Sequence, residues 1–214
     1  MLGAELRPGR ELWAEALTRD GWMDPQTAVE LLACFQCPDL RDTLFCNVID
    51  PELPDAEESG NLLMGEGIAP DWNRVDRAQE TARDLIDAAP EGYRAPLLTL
   101  IGWLAYLKGQ SSVAADHFKL ALADTPGYRL AELMDQLVSR GTIAPVAKNQ
   151  ETAYKRHRWI QRGRAGNGPA RWVRRRPPPH ALLRPPITLA RAARQASKAP
   201  NPGLLDAISK RTID

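Results

Sequence analysis

Cys34, Cys37 and Cys46 fall as C-x2-C-x8-C, a pattern of thiols that can hold a metal ion or cycle to a disulfide. A closed zinc site takes four ligands, and His117, His157 and His180 are all remote from the three cysteines in sequence. A redox C-x-x-C belongs beside a βαβ pattern, which these residues lack. Cys34 instead falls on an apolar helical face, where cysteine acts as a small hydrophobe. The three are read as core cysteines, and no metal or cofactor is expected.

Arg41 and Asp42 are adjacent opposite charges near a helix start, where a carboxylate complements the dipole. A buried structural ion pair is favoured over a catalytic role. No histidine sits beside a plausible nucleophile, and Gly65-Glu66-Gly67 lacks the strand and helix that a phosphate loop requires. The chain is therefore expected not to be an enzyme. Thr99, Trp103 and Tyr106 share one helical face, and in a helical repeat that face lines a concave groove for a peptide. The alternative is that the N-terminal helices cover them. Arg171, Trp172, Arg174, Arg175 and Arg176 interleave an aromatic with positive charge, a composition suited to nucleic-acid backbones and unpaired bases. The competing reading there is a solvated basic tail.

The elements that would position these residues are helices. Residues 96–107 are apolar at Leu97, Leu98, Ile101, Leu104, Ala105 and Leu107, with Gly109 just past the end. Ser111 or Ser112 can cap a second helix carrying Val113, Ala114, Phe118, Ala121 and Leu122, which Pro126 ends. A third, residues 128–139, buries Leu130, Leu133, Met134 and Leu137. Gly102, Gly109, Ala114, Phe118, Ala121 and Pro126 fall as G-x6-G-x4-A-x3-F-x2-A-x4-P, which resembles one tetratricopeptide unit. Gly102 and Ala114 are small so that two antiparallel helices can approach. Ala78, Ala82, Leu85 and Pro90 repeat part of that spacing 36 residues earlier, so residues 74–88 read as the second helix of a degenerate unit. No first helix for that unit is recognisable in residues 57–68.

Upstream, residues 10–18 form a short helix with Leu12, Trp13, Ala16 and Leu17 on one face. Asp24-Pro25 starts the next, residues 26–35, and Asp39 can cap a third, residues 40–49. Residues 50–67 are acidic, punctuated by Pro51, Pro54, Gly60, Gly65 and Gly67, and read as a mobile linker with a helical turn near 61–64. Residues 148–160 have some helical potential. Beyond them arginine, proline, alanine and glycine dominate, and residues 161–203 are expected to be largely disordered.

The run CPDLRDTLF together with residues 93–137 resembles the C-terminal half of domain-of-unknown-function family 4192 of actinobacteria, over about residues 10–145. Arg41-Asp42 and the P-G-Y-R-L-A after the A-L-A run carry that likeness. The resemblance implies an all-α module of unknown activity and supplies no catalytic residues. The family's N-terminal α/β portion has no counterpart in these residues.

Hydrophobic content of 43% is enough for a core through most of the chain, and no apolar run approaches the ~18 residues a membrane span needs. The start lacks the contiguous apolar stretch of a signal peptide, so a cytoplasmic protein is expected. Net charge is only +1, yet residues 1–147 hold 12 Lys/Arg against 24 Asp/Glu and residues 148–214 hold 16 against 3. Such opposed halves point either to an acidic body with a basic interaction arm or to partial self-neutralisation. The expected architecture is all-α: an arm (1–9), N-terminal helices (10–49), an acidic linker (50–70), a tetratricopeptide-like hairpin module (71–145) and a basic tail (146–214). A non-enzymatic protein–protein or peptide interaction module is the leading expectation. Nucleic-acid association through the tail is the alternative, and no membrane partner is expected.

Overall fold

A computed structural model describes residues 2–155 except 20, 22 and 53–55; the run Arg171–Arg176 and the rest of the arginine-rich segment lie outside it. The described residues are helical and contain no strand. In chain order they form α1 (Leu2–Thr18), α2 (Pro25–Gln36), α3 (Pro38–Ile49), α4 (Ala56–Met64), α5 (Trp72–Ala88), α6 (Ala95–Leu107), α7 (Ser111–Asp124), α8 (Arg129–Ser139) and the single turn α9 (Pro145–Lys148). None of these helices is long and apolar enough to cross a membrane.

The closest pairing is α6 with α7, and Gly102 explains it. A Cβ on Gly102 would lie 2.5 Å from Phe118 Cε1 and 2.8 Å from Cδ1, so the Phe118 ring occupies the space a side chain would take. Asp124, at the end of α7, closes the same pair from the other side. Its carboxylate accepts from the backbone N–H groups of Gly92 (2.9 Å), Arg94 (3.0 Å) and Ala95 (3.1 Å), which satisfies donors that the N-terminus of α6 would leave open.

Helix starts follow local chemistry with small departures. Asp24 caps α2 by accepting from Thr27 N at 3.0 Å, and Asp71 caps α5 through Asn73 N at 2.9 Å. Asp39 lies inside the first turn of α3 rather than capping it, because Cys37 takes the cap position ahead of Pro38. Likewise Ser111 opens α7 and Gln110 occupies the cap.

Larger differences occur where composition hid a helix. Of the expected arm (1–9), residues 2–9 are helical, since α1 begins at Leu2 and continues through Pro8-Gly9. Gly9 is kept there by packing: a Cβ would meet Leu40 Cδ2 at 3.0 Å and Cys34 Sγ at 3.2 Å. The acidic stretch 50–70 is not a simple linker either. It contains α4, whose Leu62, Leu63 and Met64 are buried against the rest of the core.

The body also continues past Pro145, where the tail was expected to begin. Val146 N donates to Gly65 O at 3.1 Å, and Trp72 Nε1 donates to the Thr152 carbonyl at 2.9 Å. Tyr154 packs edge-on against Trp72, with centroids 5.2 Å apart, and its hydroxyl donates to Asp76 at 3.1 Å. Within the described residues helix ends at Lys148, and residues 149–155 follow as turn and coil against α5; residues 156–160 lie outside the described residues.

An aromatic chain joins the N-terminal helices to α6. Trp13 meets Phe35 edge-on at 5.3 Å, Phe35 meets Phe45 at 6.4 Å, and Phe45 stacks on Trp103 at 5.6 Å. One core thus runs from α1 to α8 and encloses what a free-standing hairpin would have exposed.

Candidate functional site

The three groove candidates are not on a groove. Thr99, Trp103 and Tyr106 are each 1% exposed or less. Thr99 donates to the Ala95 carbonyl one turn back at 2.7 Å. Trp103 Nε1 donates to Leu63 O at 2.9 Å and the Tyr106 hydroxyl to Met64 O at 3.1 Å. Leu63 and Met64 end α4, so their carbonyls lack intrahelical partners, and the two aromatic residues satisfy them. Burial pushes the Tyr106 phenol up to about 12, so it remains a neutral donor. The N-terminal helices and α4 cover this face, which corrects the groove reading in favour of its alternative.

The strongest polar constellation is built on Arg41 and Asp42. Arg41 Nε lies 2.6 Å from Asp42 Oδ1, with both side chains under a tenth exposed. Arg41 Nη1 also donates to the Tyr128 hydroxyl at 2.7 Å, and the guanidinium carbon sits 5.5 Å from that ring's centre. Tyr128 caps α8 after the Pro126-Gly127 break. The two sequence motifs singled out above, one in α3 and one before α8, therefore meet through this contact.

Burial raises the Asp42 carboxyl from its ordinary value, with Arg41 pulling the other way. Burial also opposes the Arg41 charge, but Tyr128 and Asp42 outweigh it and hold the guanidinium protonated. The Tyr128 phenol is pushed up to about 12, again by burial first. An ordinary guanidinium, a covered carboxylate and a neutral phenol make a lock between helices.

The cysteines are free thiols, with Cys46 buried and Cys34 and Cys37 half-buried. Cys46 Sγ reaches the Ser59 carbonyl at 3.5 Å, which ties α3 to α4. Burial pushes the Cys34 thiol up to about 11 and Cys46 up to about 12, so neither carries an activated thiolate. Native protein at about pH 8 should leave both unlabelled by a thiol reagent until denaturant is added. Rapid native labelling of Cys46 would mean that the α3–α4 interface opens. Among the described residues no group of three or more His, Cys, Asp or Glu is placed to share a metal ion.

A dent lined by Ile49, Leu62, Glu66, Ile68, Leu107 and Val146 holds about 10 Å³, room for about one water. The surface carries more. Val113 is 38% exposed and Leu120 is 53% exposed, two turns apart on α7. Asp76, Glu80 and Asp84 recur at four-residue spacing along α5, and Glu80 and Asp84 are exposed. Sequence periodicity contained the signal for that acidic line, but not for residues 149–155 beside it. Asp124 was not singled out, since nothing local marks it as the acceptor for amides about thirty residues away.

A family model described as Domain of unknown function (DUF4192) matches residues 3–144. The chain belongs to this family. No curated protein and no solved structure matches it.

Proposed function

We propose that this family member is a non-catalytic interaction module, in which α6 and α7 form a tetratricopeptide-like unit and a helical protein segment docks along the outer face of α7. The observation that carries this reading is the exposure of Val113 and Leu120 at i and i+7, on a helix whose inner face is already filled by Ala114, Phe118 and Ala121. Stacked helical hairpins bury such a face under the next hairpin, and a partner helix can supply the same cover. The polar groups that a reaction would draw on, Arg41, Asp42 and Tyr128, are already engaged with one another. The test is affinity capture with the full chain and with Leu120→Asp. A partner held by the native chain should be lost by the variant at unchanged thermal midpoint. Turnover of any substrate that depends on Arg41, Asp42 or the cysteines would overturn the reading.

The charge opposition favours a second reading, nucleic-acid association through the tail, because residues 148–214 hold 16 Lys/Arg against 3 Asp/Glu. Arginine–phosphate contacts would then supply most of the affinity by counterion release. Neutralising Arg174, Arg175 and Arg176 together removes up to three contacts, so log K against log salt should flatten by up to about 2.7 units on duplex DNA. Affinity should fall alike on all sequences, since phosphate contacts do not read bases. Failure to bind DNA or RNA at low salt would end this reading and leave the first standing.

A further inference from the structure

Residues 149–155 lie against α5 as a strap whose hydrogen-bonded turn closes on itself. Thr152 N and Ala153 N donate to the Asn149 carbonyl at 3.2 and 2.8 Å, and Glu151 N donates to Asn149 Oδ1 at 3.0 Å. The Thr152 hydroxyl donates back to the Val146 carbonyl at 2.9 Å. Contact with the helices centres on two residues. The Thr152 carbonyl accepts from Trp72 Nε1 at 2.9 Å, and the Tyr154 hydroxyl donates to Asp76 at 3.1 Å. The Tyr154 ring meets Trp72 edge-on and lies with its centre 4.8 Å from Lys108 Nζ.

The receiving surface is held together by bonds that do not involve the strap. Trp72, Asp76 and Gln79 follow one another at i, i+4 and i+7, on one face of α5. Lys108, at the C-terminal end of α6, reaches Asp76 Oδ1 at 2.6 Å and Gln79 Oε1 at 2.7 Å, with its side chain only 4% exposed. An indole donor, a carboxylate acceptor and a cation are thus fixed on two packed helices. The strap is held less deeply. Residues 149–151 and 155 are exposed, and residues 152–154 are half-buried. A segment with so little buried apolar surface opens at lower cost than the core beneath it.

We propose that Trp72, Asp76 and Lys108 form a docking surface for a tyrosine-bearing peptide of a partner protein, and that residues 149–155 occupy it in cis as an autoinhibitory contact. The seated strap displays the ligand chemistry. A main-chain carbonyl meets the indole N–H, and two residues later a tyrosine sets its hydroxyl on the carboxylate and its ring beside the ammonium. A partner must present both groups at that spacing. It must also outcompete a ligand tethered at an effective concentration in the millimolar range. This surface is separate from the outer face of α7, and the inference holds or fails independently of either functional reading.

The full chain carrying Tyr154→Ala tests it, with the Trp72 indole N–H resonance as reporter and residues 149–155 as a free, end-capped peptide as the probe. In the variant the indole resonance should leave its native position, and the peptide should return it. The same peptide with alanine in place of its tyrosine should have no effect. In the native chain the peptide should displace the resonances of Thr152 and Tyr154 only at about tenfold higher concentration or more, because the strap competes in cis. An indole resonance that millimolar peptide does not return would overturn the proposal. So would equal action of the alanine peptide, or the same peptide requirement in both chains. Should Tyr154→Ala not fold, hydrogen exchange in the native chain decides instead. The Trp72 indole proton should exchange at least about tenfold faster than the slowest α6 amides, through opening of the strap alone. Exchange of that proton only together with the core would make the strap a permanent part of the body and overturn the proposal.

Discussion

Asp42→Ala is expected to lower the stability of the folded body by about 3–5 kcal/mol, the range for removing one partner of a buried ion pair. The variant leaves the Arg41 guanidinium covered, with Tyr128 as its remaining side-chain partner at 2.7 Å. A domain of this size has only about 5–15 kcal/mol in total, so the denaturant midpoint should fall by about a fifth or more. Much of that loss reflects the stranded charge rather than the value of the pair. Arg41→Met combined with Asp42→Leu should therefore recover most of it, since apolar residues of similar volume often replace buried pairs at little cost. A loss under about 1 kcal/mol in Asp42→Ala would mean that solvent reaches the pair. A double variant no better than the single would mean that the lock between α3 and Tyr128 contributes through specific geometry.

The legible part of this fold is the part stabilised by its own periodicity. Residues 95–139 announced three helices because Leu97, Ile101 and Leu104, then Ala114, Phe118 and Ala121, recur at helical spacing and the Pro126-Gly127 break separates them from Leu130 and Leu133. The Arg41–Asp42 pair was legible too, being adjacent in sequence at a helix start. What sequence could not display were helices and contacts held from a distance. α4 has an acidic, glycine-containing sequence with one apolar cluster, and its last carbonyls are satisfied by Trp103 and Tyr106 some forty residues later. Those two aromatic residues read as groove residues because in a free-standing helical repeat that face lines the concave side. The polar tip of each serves α4. In the same way α1 runs through Pro8-Gly9 because Leu40 and Cys34 come from other helices to pack against Gly9, which no local rule anticipates.

The candidate surfaces divide along the same line. Of the apolar residues read on α7, Ala114, Phe118 and Ala121 are buried, whereas Val113 is exposed on the outer face with Leu120. The acidic line of α5 is visible as a four-residue spacing. Its connection to the outgoing chain required Trp72 and Asp76 to be seen holding Thr152 and Tyr154. A spacing rule describes one helix at a time, and the strap is a relation between a helix and a non-helical segment eighty residues away.

Gly102→Leu should strongly destabilise the α6–α7 pair. Even the first carbon of a side chain would stand 2.5 Å from Phe118 Cε1, 2.8 Å from Cδ1 and 3.1 Å from Cζ. Phe118 is fully buried, so its ring has no solvent-side position to retreat to. Overpacking of this kind costs about 1–3 kcal/mol, and leucine should reach the upper end because the whole isobutyl group must be placed. For a domain of this length about 3 kcal/mol corresponds to a thermal midpoint lower by about 6–12 °C. Glycine is also the poorer helix former, by about 1 kcal/mol relative to alanine, so Gly102→Ala sets propensity against the clash. The clash should win with Phe118 present and lose when Phe118→Leu opens the space. Gly102→Ala is therefore expected to destabilise the native chain and to stabilise the Phe118→Leu background, a reversal of sign in one double-mutant cycle. An unchanged midpoint for Gly102→Leu, or additive effects of Gly102→Ala and Phe118→Leu, would show that the two helices do not meet at these residues.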